Sequence, residues 1–204
     1  MENFESQYKA LGYSHIVGID EVGRGCLFGD VVACAVIMPE SRIEGVKDSK
    51  KLSQKKREEL YTLILKHAVA VGIGRADAQE IDSVNIKNAT HLAMERAVNN
   101  LRDQKNRKVY TDLLLIDAET INLKVAQVPL IHGDDRCYSI ACASIVAKVY
   151  RDSLCQQWDE RYPGYSIAAN KGYGTAIHRR ALQSKGPSAM HRRSFLGKIL
   201  EPKG

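Results

Sequence analysis

Two adjacent carboxylates, Asp20 and Glu21, end the run at 15–19 and precede a glycine-flanked arginine at 23–25. An unpaired carboxylate in a low-dielectric setting is costly, so a cation or hydrogen-bond donors must lie beside it. A divalent metal ion would meet that need. The alternative is that the pair only occupies a turn leading into Gly23. Further acids must decide between the two interpretations.

Two more carboxylates occupy suitable positions. Asp117 closes the aliphatic run 113–116, as a buried strand delivering an acid to its C-terminal edge would. Asp134 lies just upstream of a helix rich in small residues. Four oxygen donors from three segments suit hard cations such as Mg²⁺ or Mn²⁺, whereas the cysteines and histidines lack zinc spacing. The set favours phosphoryl chemistry.

The charge balance favours a polyanionic partner. The chain has 30 basic and 24 acidic residues among 204, a net charge of +6. Basic side chains cluster in two segments, and the first cluster is either a solvated helix face or a set of phosphate contacts. The clusters comprise Lys47, Lys50, Lys51, Lys55, Lys56 and Arg57, and then Arg179, Arg180, Lys185, Arg192 and Arg193.

Cysteine usage and the N-terminus indicate a cellular compartment. The five cysteines form no C-x-x-C pair, and three lie in apolar or small-residue stretches, as reduced core cysteines do. The acidic, polar segment 1–6 has no signal-peptide core. No apolar run approaches the roughly 18 residues of a membrane span. We therefore expect a cytoplasmic protein with no membrane partner.

Hydrophobic patterns predict five strands and three main helices. The strands span about 16–22, 31–38, 68–74, 109–117 and 124–131, and the helices about 54–67, 84–102 and 139–158. The tight connection between the first two strands requires an antiparallel pair, so the sheet is mixed. Because consecutive strand residues point to opposite faces, Asp20 and Glu21 need a twist or bulge to reach one site.

Five motifs along the chain together resemble the ribonuclease HII family. They are GIDEVGRG at 18–25, DSKKL at 48–52, ASIVAKVYRD at 143–152, KGYGT at 171–175 and HRRSF at 191–195. They occur in the family's order and extend over nearly the whole chain. A single short motif could arise by chance, but a series in register is specific.

The resemblance implies an α/β architecture, the ribonuclease H-like fold. In that fold a five-stranded mixed sheet is flanked by helices and the first and fourth strands lie side by side, which would bring Asp20 and Asp117 together. A small C-terminal helical appendage follows. We expect a single catalytic domain over 1–204, with the core at about 1–160 and a substrate-binding appendage at about 161–204.

The resemblance also implies the chemistry. The expected activity is endonucleolytic hydrolysis of RNA in RNA–DNA hybrids and cleavage 5′ of single ribonucleotides in duplex DNA, leaving 5′-phosphate and 3′-hydroxyl ends. Asp135 and Asp152 are near misses, and Asp152 is expected to be structural. Catalysis would use two Mg²⁺ or Mn²⁺ ions, held by the catalytic residues Asp20, Glu21, Asp117 and Asp134.

Substrate recognition is implied at a further set of residues. The backbone of Gly23, Arg24 and Gly25 would read the ribose 2′-hydroxyl, since glycines allow close approach. Tyr173, between two glycines, would stack on the DNA nucleotide after the ribonucleotide. A plain tight turn and ordinary surface packing are the respective alternatives. The expected substrate contacts also include Lys50 and Arg192, while His178 and His191 are expected to be structural or phosphate-adjacent.

The sequence departs from the family pattern at four positions, Cys26, Asp30, Ala118 and His132, none of which removes a carboxylate. Two alternatives stay open: a non-catalytic nucleic-acid-binding protein, and another two-metal nuclease on the same fold. Cleavage of a duplex containing one ribonucleotide separates all three. We expect a monomer. The segment 194–200 only weakly resembles a clamp-binding peptide, so a sliding-clamp contact has little support.

Overall fold

The computed structural model describes residues 1–200. Its centre is a five-stranded sheet in the order β3-β2-β1-β4-β5. β1 runs antiparallel to β2 and β2 to β3, whereas β1 is parallel to β4 and β4 to β5. The predicted mixed sheet is confirmed, as is the adjacency of the first and fourth strands. The strands are β1 (Ile16–Val22), β2 (Val31–Ile37), β3 (Ala70–Ala76), β4 (Leu113–Asp117) and β5 (Ala126–Leu130).

Helices cover both faces of the sheet. The long helix α3 (Ala78–Asn99) packs on one face, and α2 (Gln54–His67) and α5 (Tyr138–Arg161) pack on the other. None of the helices within residues 1–200 combines the length and apolarity needed to cross a bilayer. The shorter helices are α1 (Phe4–Ala10), α4 (Gly133–Arg136), α6 (Ile167–Asn170), α7 (Ala176–Lys185) and α8 (Gly197–Leu200).

Strand β2 shows why the sheet is covered twice. All seven of its residues are buried. Ala33 and Ala35 pack into the cluster that includes α3, whereas Cys34 and Val36 pack into the cluster that includes α2 and α5. Side chains of a strand alternate between faces, so a continuous apolar run requires an apolar layer on each side. The run at 31–38 predicts this arrangement correctly.

The contact between β1 and α5 is unusually close because of Gly18. A Cβ at Gly18 would lie 2.3 Å from the carbonyl carbon of Ser139 and 2.6 Å from the nitrogen of Ile140. Only a glycine therefore fits beneath the first turn of α5. This close approach holds the start of α5, and with it the short helix α4, against the C-terminal part of β1.

Two helix or strand starts lie several residues from the sequence-based prediction, and one helix was not predicted. α3 begins at Ala78, behind a capping box between Asp77 and Glu80, and kinks at Asn85, where the helix was expected to start. The left-handed φ of 67° at Asn85 separates two helical segments that hydrophobic periodicity detects only in part. β4 begins at Leu113 rather than near 109, and the N-terminal helix α1 was not predicted.

The chain after α5 packs back onto the loop between β1 and β2. Phe28 in that loop is fully buried and contacts the aromatic ring of Trp158 from α5, at a centroid distance of 6.0 Å. Ile167 of α6 and Leu182 of α7 join the same cluster. The predicted helical appendage thus forms, and it supports the loop that carries Gly23, Arg24 and Gly25. Its last four residues lie outside the described range.

Candidate active site

Asp20 and Asp117 leave the sheet side by side. The parallel pairing of β1 with β4 places Ile19 beside Ile116, so the next residue of each strand is an aspartate at the same edge. Neighbouring strands are about 4.8 Å apart. The backbone N–H of Gly133 donates to Asp117 Oδ1 at 2.7 Å, which brings the first turn of α4, with Asp134, to the same edge. Three segments therefore deliver three acids to one place.

The environment of Asp20 disfavours its charge. Burial raises the pKa of Asp20 well above its usual value, and the charges of Glu21 and Asp117 add to the effect. The Ser144 hydroxyl on α5 hydrogen-bonds to Asp20 and opposes the shift. Ser144 Oγ also lies 2.8 Å from Ser49 Oγ. Burial is likewise the leading cause of the raised pKa of Asp117. Concentrated, poorly compensated negative charge is the electrostatic signature of a cation site.

Glu21 reaches the site without the predicted bulge. The register of β1 with β2 is regular through Val22, so of the predicted twist or bulge the bulge does not form within β1. The Glu21 carboxylate accepts a hydrogen bond from Arg24 Nη1 at 3.3 Å, and Glu119 accepts another from the same nitrogen at 3.3 Å. His91 Nε2 lies 3.0 Å from Glu119. Burial raises the pKa of Glu21, and Arg24 opposes the rise.

The structure separates Asp134 from its neighbour Asp135. The Asp134 side chain is 8% exposed and accepts a hydrogen bond from Lys50 Nζ at 2.9 Å. The Asp135 side chain is 51% exposed and pairs with Lys51 at 2.6 Å. Of the two, Asp134 is the buried one, and its charge acts on Asp117; its role as a metal ligand stays a prediction. The hydrogen bond to Asp134 raises the pKa of Lys50, whose ammonium lies where a cation is favoured.

The donor set suits a hard divalent cation, although its side chains are not drawn together around one point. Within residues 1–200, no three His, Cys, Asp or Glu side chains converge closely enough to enclose an ion. Lys50 and Arg24 neutralise two of the carboxylates instead. Carboxylate oxygens are the preferred ligands of Mg²⁺ and Mn²⁺. The chemistry and the buried charge of the set therefore fit such ions.

A cleft of about 110 Å³ opens beside the acids. Tyr173 lines it and is 44% exposed. A Cβ added at Gly25 would lie 3.9 Å from Tyr173 Cε1, so the tyrosine ring borders the Gly23–Gly25 segment. The cleft therefore brings two of the four acids, Asp20 and Glu21, together with Tyr173, whose ring borders Gly25. Its wall is completed by Glu21, Val22, Ser49, Lys50, Arg57, Ser144 and Lys148, together with Asp20.

Buried Arg151 holds the loop around the Gly23–Gly25 segment. Arg151 donates to the carbonyls of Asp30, Phe28 and Lys171 at 2.8–3.1 Å. A Cβ at Gly23, where φ is +95°, would lie 2.3 Å from Arg151 Nε. Glycine is required there on both grounds. Asp152, the near miss beside Arg151, pairs with Lys148 on the same helix at 2.8 Å.

The predicted role of Arg192 in contacting substrate requires correction. Arg192 is fully buried. Its Nη1 donates to the Arg24 carbonyl at 2.8 Å and its Nε to the Gly29 carbonyl at 2.9 Å. A guanidinium enclosed in this way cannot reach a phosphate, so Arg192 supports the Gly23–Gly25 segment instead. The motif resemblance locates this residue but does not reveal on which side of the loop it lies.

Sequence reasoning overlooked Ser49, Ser144, Glu119 and His91. Ser144 acts on Asp20 and Ser49 contacts Ser144, while His91 contacts Glu119, which pairs with Arg24. Ser144 carried a usable signal, because a hydroxyl within the small-residue run 139–147 needs a partner once it is buried. Glu119 and His91 carried none, since their contact joins α3 to the segment after β4 across the sheet edge.

The sheet order, with acids at the ends of β1 and β4, is that of the ribonuclease H-like fold. Three solved structures share the fold. Ribonuclease H2 of Pyrococcus horikoshii matches with a TM-score of 0.74 at 22% identity, covering 92% of this chain and 98% of that one. The ribonuclease HII in a complex titled PCNA:RNase HII, from Archaeoglobus fulgidus, gives 0.73 at 23%, covering 93% and 98%. A Bst-RNase HIII structure titled as a complex with Mn²⁺ gives 0.59 at 18%, covering 84% and 63%.

Sequence comparison then gives the family. A sequence model described as ribonuclease HII matches residues 17–198. The ribonuclease HII of Alkaliphilus oremlandii is 56% identical over 199 residues, covering 97% of this chain and 98% of that protein. The ribonuclease HII of Bacillus subtilis is 47% identical over 196 residues, covering 96% and 74%. The chain belongs to the ribonuclease HII family, and it is therefore an endonuclease of the ribonuclease H type.

Proposed function

We propose that this chain is a metal-dependent endonuclease that hydrolyses the RNA strand of RNA–DNA hybrids and cuts 5′ of a single ribonucleotide in duplex DNA. The observation that carries the proposal is the shared cleft. Asp20 and Glu21 line it together with Tyr173, and the Tyr173 ring borders Gly25. Groups for chemistry and groups for reading a ribonucleotide junction therefore face one space.

Asp20, Glu21, Asp117 and Asp134 would hold the metal. Bound there, two Mg²⁺ or Mn²⁺ ions would supply a nucleophilic water and stabilise the leaving 3′-oxygen. Burial and mutual repulsion raise the pKa values of Asp20 and Asp117, so a positive charge at this point is stabilised by both. Lys50 pairs with Asp134 and Arg24 pairs with Glu21. Both pairs would break as metal ions bind. The expected products carry 5′-phosphate and 3′-hydroxyl ends.

Recognition would fall to the backbone and the exposed aromatic ring. Arg151 packs against Gly23 and Arg192 donates to the Arg24 carbonyl, while Gly25 is exposed and can approach a ribose 2′-hydroxyl. Tyr173 would stack on the deoxynucleotide that follows. The single 2′-hydroxyl then identifies the cleavage point, and the tyrosine identifies the change to DNA.

The expected setting of the enzyme remains a prediction. Its five cysteines are buried and unpaired, which supports an intracellular, cytoplasmic place. The residues that line the cleft all come from one chain, which is consistent with the expected monomer. A sliding-clamp contact through 194–200 would require Leu196, which is 1% exposed, to leave the core, so within the described residues this segment gives the contact little support.

The proposal is tested by Tyr173→Ala on two substrates, a DNA duplex with one ribonucleotide and a continuous RNA–DNA hybrid. Loss of stacking worth roughly 1–3 kcal/mol should lower kcat/KM on the first substrate more than on the second. Tyr110→Ala is the matched control, because Tyr110 is 74% exposed and does not line the cleft. Equal losses on both substrates would reduce Tyr173 to a general contact.

A further inference from the structure

We infer that His178 and His191 form a directional hydrogen-bond relay that positions Tyr173, and that both histidines are thereby positioning residues for substrate selection. The inference rests on the proposed function, in which Tyr173 contacts the junction. It assigns a role to two side chains for which resemblance and composition suggested only structural or phosphate-adjacent ones.

The two imidazoles face each other in the core. His178 is 0% exposed and His191 is 1% exposed, and their Nε2 atoms are 3.0 Å apart. The rings of Phe28 and Tyr165 pack edge-on to His191 at centroid distances of 4.8 and 4.7 Å. Burial lowers the pKa of His191 to about 4 and also lowers that of His178. Both rings are therefore neutral at neutral pH.

The partners of the outer nitrogens fix where each proton lies. The Ser188 backbone N–H can only donate, and it lies 2.9 Å from His191 Nδ1. His191 Nδ1 is therefore an acceptor, and the neutral ring carries its proton on Nε2. That proton is donated to His178 Nε2. His178 must then carry its own proton on Nδ1, which lies 2.9 Å from the Tyr173 carbonyl oxygen. Every link has one donor and one acceptor.

The relay ends on the backbone of the residue whose ring is presented to substrate. The Tyr173 carbonyl accepts from His178 and from the Thr175 N–H at 2.8 Å, and the Tyr173 N–H donates to the Asn170 carbonyl at 2.9 Å. The main chain is thus held on both sides while the ring remains 44% exposed. Removing the His178 donor would free the peptide that sets the direction of the ring.

The same segment also reaches the Gly23–Gly25 loop. Arg192 follows His191 directly, and its Nη1 donates to the Arg24 carbonyl while its backbone N–H donates to the Leu27 carbonyl at 2.9 Å. One dipeptide, 191–192, therefore anchors both reading elements, one through the histidine relay and one through the arginine. Their spacing is set by a single rigid unit.

The test compares His178→Phe with His178→Asn, measured as the ratio of kcat/KM on the one-ribonucleotide duplex to kcat/KM on the continuous hybrid. Phenylalanine keeps a ring but deletes the donor, and we expect the ratio to fall roughly fivefold or more, as when a stacking contact is lost. Asparagine offers an amide N–H near the position of Nδ1 and should restore most of the ratio, although the smaller side chain lowers stability.

His67→Phe is the matched control. His67 Nδ1 lies 2.8 Å from the Leu63 carbonyl, so it makes the same type of bond on the exposed surface of α2. The ratio should not change in this variant. If His178→Phe does not fold, His191→Gln and His191→Met make the same comparison, because glutamine retains a donor toward His178 and methionine does not.

Three results would overturn the relay. They are an unchanged ratio in His178→Phe with a lowered melting temperature, equal rate losses on the two substrates, and no recovery in His178→Asn. Failure of the proposed function looks different. In that case the unmodified enzyme does not cut the one-ribonucleotide duplex, or Tyr173→Ala leaves the ratio unchanged, and the relay's role in selection falls with it.

Discussion

A substitution at Asp117 should lower catalytic turnover without disturbing the fold. It lies at the end of β4, and its Oδ1 accepts from the Gly133 N–H, a bond that an amide oxygen can also accept. Asp117→Asn should therefore fold, while Mg²⁺-dependent turnover on a hybrid falls roughly a hundredfold or more because the charge that holds the ions is lost. Steady-state cleavage and thermal melting measure the two effects.

Asp152→Asn is the matched control for that variant. Asp152 pairs with Lys148 on α5 and stands outside the group of four acids. Its substitution should have a milder effect on turnover. Equal activity losses in the two variants, with unchanged melting temperatures, would show that Asp152 belongs among the metal ligands.

Arg192 gives a second residue-scale prediction. Arg192→Ala would leave the carbonyls of Arg24 and Gly29 without their buried donors, and we expect it to lower the free energy of unfolding by about 2–4 kcal/mol. Arg193 is exposed, so Arg193→Ala should leave stability nearly unchanged. It should reduce the slope of log binding affinity against log salt concentration by up to about one. Denaturant unfolding and binding at several salt concentrations distinguish them. A stable Arg192→Ala variant with a reduced salt slope would restore the phosphate-contact interpretation.

At the scale of elements, the segment that follows β4 carries a strained residue. Ala118 has a φ of 51°, a left-handed conformation that costs a non-glycine residue roughly 1–2 kcal/mol. The family resemblance places a glycine here. Ala118→Gly should therefore raise the free energy of unfolding by up to about 1 kcal/mol, after the entropy cost of glycine in the unfolded chain. Thermal melting tests this. A lower melting temperature would show that the Ala118 methyl group stabilises the fold by more than the left-handed backbone conformation destabilises it.

Regular elements were the most predictable part of the fold. The buried run of β2, the helix at 54–67 and the antiparallel start of the sheet follow from apolar patterning and from a short connection. The kink at Asn85 and the lone helix α1 did not, because one depends on a left-handed residue and the other buries none of its side chains. Pairing of β1 with β4 came only from family resemblance, since periodicity contains no information on which strands are neighbours.

The site was predictable in its acids but not in its supports. Carboxylates at strand ends are visible in sequence because they interrupt apolar runs. Ser144, Glu119 and the internal direction of Arg192 are properties of packing across elements distant in the chain, so no local pattern reports them. For the same reason the sequence did not show that Glu21 needs no bulge, since the pairing of β1 with β2 stays regular and Arg24, itself paired with Glu119, holds the Glu21 carboxylate.

At the scale of the whole molecule, the fold combines two functions in one cleft. The sheet and α4 carry the four acids. Arg151 of α5 and, after that helix, Arg192 and His178 hold the Gly23–Gly25 segment and the loop that carries Tyr173. The net charge of +6 favours association with nucleic acid of any sequence, so selection must come from the cleft. We predict that these parts act together on a single ribonucleotide.

The most direct measurement uses the unmodified enzyme and an end-labelled DNA duplex containing one ribonucleotide, with Mg²⁺ and with Mn²⁺. An all-DNA duplex of the same sequence is the control. We expect one cut on the 5′ side of the ribonucleotide, with a 3′-hydroxyl on the upstream fragment and a 5′-phosphate on the downstream fragment, and no cut in the control. Cleavage only where several ribonucleotides are consecutive, or no cleavage of the one-ribonucleotide duplex with either ion, would contradict it.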